Sequence, residues 1–169
     1  MVLRIISHIV DSASQWFLRI AQNKAKPCKV NLSYSLTKEQ KEIATKVCEE
    51  FMKENNVLIY AVTGAGKTEL VYGVMQYALT NGLQVGFTVP RREVVIELYD
   101  RIKEAFVNNS VVSVYGGNTN KLVGDIVVLT THQLYRYPDF FDLLILDEID
   151  AFPFKNNQLL NAMFFKSIR

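Results

Sequence analysis

The chain has only two cysteines, Cys28 and Cys48, and no CxxC pair. Two isolated thiols cannot supply a four-ligand zinc site, so both read as reduced cysteines and no zinc is expected. No apolar run reaches the roughly 20 residues of a membrane-spanning helix. The opening MVLRIISHIV is interrupted by Arg4 and His8 and lacks a small-residue cleavage site. Neither an anchor nor a secretory signal is expected, which predicts a cytoplasmic chain. An excess of charge is lacking as well. With a net charge of +2, any contact with nucleic acid must come from a local basic patch. What the 169 residues do offer is a globular balance, 49% hydrophobic and 21% charged. That is enough for one domain with a full core and cramped for two.

Leu3, Ile6, Val10, Ala13, Phe17 and Ile20 recur at steps of three and four, with Trp16 beside them. This spacing predicts an amphipathic helix over 1–21, ended by the Lys-rich stretch around Pro27. Residues 1–31 are thus expected to form a helix and linker, and 32–169 the main domain. In LTKEQKEIATKVCEEF, Thr37 and Gln40 have the spacing of a capping box, and Ile43, Val47 and Phe51 form the buried stripe of the helix it starts. Gln40 has a second role open to it, since its amide can offer a donor and an acceptor to the edge of an adenine.

The stretch YAVTGAGKTEL organises the rest. Val57 to Val62 reads as a buried parallel strand, followed at once by glycines and a helix. Gly64 and Gly66 permit the torsions that turn successive N–H groups of Thr63, Gly64, Ala65 and Gly66 around an anion. Lys67 adds a positive charge for the β- and γ-phosphates of ATP, and Thr68 a hydroxyl for Mg2+. The spacing is that of a P-loop in which Ala61 replaces the first Gly. Leu70, Val71, Val74, Met75 and Ala78 then give a helix face that closes at Asn81-Gly82. Strands follow at Gln84 to Val89, Val111 to Tyr115, Ile126 to Leu129 and Leu143 to Leu146, with a helix carrying Val94, Val95, Leu98, Ile102 and Phe106 between the first two. This alternation predicts a three-layer α/β domain with a mainly parallel sheet, the carboxyl ends of its strands gathered on one edge. At that edge stand Asp147-Glu148-Ile149-Asp150. Asp147 is placed to hold Mg2+ and Glu148 to polarise an attacking water.

With both boxes in hand, the chain resembles the first, RecA-like motor lobe of superfamily 2 helicases in the DEAD/DEAH-like group. AVTGAGKT, TVPRREVVIEL, VYGG, VVLTTHQLYRY and DEID resemble its motifs in order, and LTKEQ its upstream glutamine box. AVTGAGKTEL, TTHQL and DEIDAFPF together resemble the ComFA family of DNA-uptake ATPases. The resemblance implies nucleic-acid contacts from Pro90, Arg91, Arg92, Gly117, Thr131 and His132, and catalytic roles for Lys67, Asp147 and Glu148. It implies single-stranded DNA as partner, with a second helicase lobe in trans or competence transport proteins, at the inner face of the membrane. Two departures stand out: the four-cysteine zinc module of that family is absent upstream of the glutamine box, and the chain stops at Arg169, ahead of the second lobe. An isolated lobe is therefore expected to be a weak or inactive ATP hydrolase, and MFFKSIR to leave Phe164 and Phe165 on an uncovered surface. The alternatives are a fragment of another superfamily 2 translocase, primosomal or restriction type, and a non-catalytic nucleotide-binding remnant.

Overall fold

The computed structural model describes residues 2–4, 28–31, 35–60, 66–148 and 157–168. Short runs of valine, isoleucine and leucine become strands because branched side chains pack well on a sheet covered on both faces. These are β1 (Val2–Arg4), β2 (Val57–Leu58), β3 (Val85–Val89), β4 (Val111–Val114), β5 (Ile126–Thr130) and β6 (Leu143–Leu146). They form one six-stranded sheet in the order β2-β1-β6-β3-β5-β4. β6, β3, β5 and β4 are parallel, while β1 is antiparallel to both of its neighbours. The helices are α1 (Lys38–Met52), α2 (Lys67–Leu70), α3 (Tyr72–Thr80), α4 (Arg92–Ala105) and α5 (Gln158–Lys166), with a 3-10 turn at Thr131–Arg136.

Alternation along the strands sorts the core into two halves. Val85, Phe87, Val89, Ile126, Val128, Leu143 and Ile145 meet the buried faces of α1, α3 and α4 on one side. Val127, Leu129, Leu144 and Leu146 meet the 3-10 turn and α5 on the other. This is the three-layer α/β arrangement with a mainly parallel sheet that the alternation of elements predicts. The face expected across α2 and α3 is as predicted: Leu70, Val71, Val74, Met75 and Ala78 are all buried. The end of α3 is a Schellman stop, with Gly82 N–H donating to Leu79 O and Leu83 N–H to Ala78 O. The thiols of Cys28 and Cys48 are both unpaired by disulfide, and burial pushes each above the usual cysteine value.

Four expectations need correction. Val2–Arg4 form a strand where spacing predicts the start of a helix, because the slot between β2 and β6 offers partners to the backbone on both sides. The rest of the predicted helix lies outside the described residues. Val57 and Leu58 run in the same sense as the parallel strands but pair directly only with the antiparallel β1 among the described strands, and Leu58 is 67% exposed, so these two residues are not fully buried as expected; Ala61 and Val62 lie outside the described residues. Ile43 is 40% exposed because the helix stripe is covered only from Val47 onward. Phe164 is buried under the sheet, and only Phe165 of that pair faces out.

Candidate functional site

Two antiparallel pairings restore direction, so β2 runs the same way as β6. Val2 lies opposite both Leu58 and Leu146, which puts the end of β2 and the end of β6 on the same edge of the sheet. They are two ladder spacings apart, roughly 10 Å. β3 and β5 end on that edge too, with Thr88 beside Leu146 and Val89 beside Thr130. The paired acids, Arg91 and the Thr131 turn therefore leave the sheet at one rim, and β2, which leads in sequence towards Gly66-Lys67-Thr68, ends on the same edge.

Gly66 precedes α2 with φ of 68°, in the left-handed region. A Cβ there would stand 2.9 Å from Gln40 Nε2, so the position is restricted to glycine by torsion and by contact. Gln40 is held from below by the capping box. Its Oε1 accepts from Thr37 N–H at 2.8 Å, and its own N–H donates to Thr37 Oγ1 at 3.2 Å. Capping fixes the oxygen of the Gln40 amide and aims its nitrogen at Gly66. Lys67 and Thr68, half-buried, open α2. The helix predicted here is one run tightened at Val71, whose N–H bonds Thr68 O. Thr63, Gly64 and Ala65 lie outside the described residues.

Glu69 was not singled out by sequence reasoning. Its carboxylate is buried, and it pairs with the Arg101 guanidinium on α4. An acid set into the apolar run Leu70-Val71 is the signal that could have found it. The pair ties the helix behind Lys67 to the helix behind Arg91.

At the β6 end, Asp147 N–H donates to Thr88 O at 3.0 Å, and Asp147 Oδ1 accepts from Glu148 N–H at 2.9 Å. Glu148 adopts φ of 54°, a left-handed conformation that a glutamate reaches only under constraint. Its Oε2 is buried and accepts no hydrogen bond among the described residues, although the side chain is 37% exposed. Arg91 Nε stands 3.8 Å from that oxygen. Asp150 lies outside the described residues.

Of the nucleic-acid candidates, Pro90 is half-buried, and Arg91 and Arg92 are exposed where β3 passes into α4. The Arg92 guanidinium lies over the Tyr115 ring, 5.0 Å from its centre. Gly117, with φ of 87°, has open space around it just beyond β4. His132 is exposed. Thr131 is the exception, fully buried with its hydroxyl accepting from Thr88 Oγ1 at 3.4 Å, so its side chain braces β5 against β3 and does not face a ligand.

A flexible ammonium and a hydroxyl beside a left-handed glycine suit a phosphate group, and hydroxyl and carboxylate oxygens are the donors a hard divalent cation takes. The fold and this rim define a superfamily 2 helicase-like lobe. Comparison with known proteins agrees. The family described as type III restriction enzyme, res subunit, matches residues 33–168, and the chain belongs to it. The chain is also 40% identical over 136 residues, 80% of its length, to the competence protein ComFA of Bacillus subtilis (strain 168). It is 38% identical over 125 residues, 74% of its length, to the competence protein ComFA of Streptococcus pneumoniae (strain ATCC BAA-255 / R6). In each case the match spans 29% of the relative. No helix among the described residues is long and apolar enough to cross a membrane.

Proposed function

We propose that this chain is the ATP-binding, DNA-contacting motor lobe of a ComFA-like translocase that drives single-stranded DNA uptake in natural competence. The reading is supported by Gly66-Lys67-Thr68 at the start of α2, with Gln40 against the glycine, and by a sheet edge on which β2 and the strand ahead of Asp147-Glu148 both end. In this reading Lys67 and the N–H groups of Thr63, Gly64, Ala65 and Gly66 hold the phosphates of ATP. Thr68 and Asp147 hold Mg2+, which neutralises charge on those phosphates. Gln40 keeps its capping role and reads adenine with the part of its amide turned towards Gly66. Glu148 orients and polarises the attacking water, aided by a carboxylate oxygen that no hydrogen bond consumes. Pro90, Arg91, Arg92, Gly117 and His132 meet the sugar-phosphate backbone, where basic and small groups position a strand without reading bases. The match of type III restriction enzyme kind is a family relation; the ComFA relatives favour uptake over restriction or primosome work. An arginine from a second lobe raises the rate about a thousandfold or more.

The test is magnesium-dependent phosphate release from ATP by the purified chain, with and without single-stranded DNA, with Glu148→Gln as control. DNA-stimulated release that the substitution removes supports the motor reading. ATP binding with no release in any condition, even with a second-lobe protein added, would replace it with the non-catalytic one.

A further inference from the structure

We infer that Arg91 is a positioning residue shared between Glu148 and a phosphate of the bound strand, so that strand binding frees Glu148. This rests on the reading above. Three observations meet at one place. Glu148 is held at a positive φ, its Oε2 is buried without a hydrogen-bond donor among the described residues, and the guanidinium of Arg91 stands 3.8 Å away. Arg91 itself is 65% exposed and caps the start of α4 at the rim. It therefore reaches the acid from one side and solvent from the other.

A guanidinium at that distance from a carboxylate oxygen holds it by charge and not by a hydrogen bond. An ion pair so open is weak. A phosphate can accept two parallel N–H bonds from the same fork, and so it wins the competition. Once Arg91 turns to the strand, Glu148 loses the charge that faces Oε2. The constrained carboxylate is then free to turn towards the β2 end of the rim. In the absence of the strand, Arg91 biases Glu148 towards α4, so strand binding favours the active orientation by about the two- to fivefold that such a pair is worth.

By linkage, the carboxylate must weaken strand binding as much as the strand weakens its hold on Arg91. The affinity of the full chain for fluorescent oligothymidylate, without nucleotide, measures this directly. Removing the carboxylate charge with Glu148→Gln is expected to tighten binding by about two- to fivefold, the scale of an exposed pair. Arg91→Ala is expected to weaken binding, and Glu148→Gln in that background to change it no further. Arg91→Lys, which keeps the charge, should retain part of the gain. Glu93→Gln, which removes a neighbouring charge on the first turn of α4, serves as the control for general electrostatics. A gain of equal size with and without Arg91, or from Glu93→Gln, would overturn the shared-partner role while leaving strand binding intact. No binding of oligothymidylate by any form would instead overturn the DNA-contacting reading, and this inference with it.

Discussion

Lys67 opens α2 half-buried, beside a glycine whose left-handed torsion disfavours any side chain. In the proposed role its ammonium makes charge-assisted bonds worth about 1.5–3 kcal/mol. Lys67→Ala is therefore expected to lower ATP affinity by about tenfold to a hundredfold with little change in melting temperature, as a nucleotide titration would show. Unchanged affinity would sink the phosphate assignment. Tyr137 gives a prediction of a different kind. Its hydroxyl donates to Leu122 O at 2.8 Å, and burial holds its ionisation well above the ordinary tyrosine value. Because the folded value is the higher one, this contribution is complete below about pH 10 and is lost as pH rises beyond it. Tyr137→Phe should cost about 0.5–1.5 kcal/mol at neutral pH. It should also flatten the alkaline limb of a stability curve measured with urea, relative to the wild type. At this scale the types and neighbours of Lys67, Thr68, Asp147 and Glu148 made them legible as candidates. It was silent on the torsion of Glu148 and its nearness to Arg91, which arise only when β3 and β6 pair.

Among the elements, β3 is the one with least tolerance. Gly86 has Leu144 Cδ1 and Phe141 Cδ1 each 2.7 Å from where a Cβ would lie. Gly86→Ala must displace two buried side chains on the α5 face, an overpacking cost of about 1–3 kcal/mol. Urea unfolding should show that loss, and a neutral result would mean that Phe141 has room to move. The capping box at Thr37 and Gln40 was legible because cap chemistry is local. The exposure of Ile43 was not, since a periodic stripe says which face is apolar but not how far its cover extends. Nor was the bracing of Thr131 by Thr88, which joins residues far apart in sequence.

For the molecule as a whole, the striking inequality is between the four parallel strands and the pair β1 and β2. Among the described strands, β2 joins the sheet only through the three residues of β1. Opening at β1 should therefore release the strand that leads into the phosphate region without unfolding the rest. Hydrogen exchange is expected to be at least about tenfold faster at Val57 and Leu58 than at the amides of β5, and Leu3→Pro, which removes a ladder donor, should widen that gap. Equal protection across the sheet would show that β2 has further support. The sequence conveyed the layers and the common direction of the strands, since alternation of apolar runs and helices dictates both. The order of strands at this side of the sheet was hidden, because three residues are too few to show a period of two and Leu3 also fits a helical stripe.

The direction of β1 has a practical side. Val2, and not Arg4, is the residue opposite Leu146, one step before Asp147. The backbone of Val2 thereby stands at the rim. A small environment-sensitive dye carried at position 2 would serve there as a built-in reporter of occupancy.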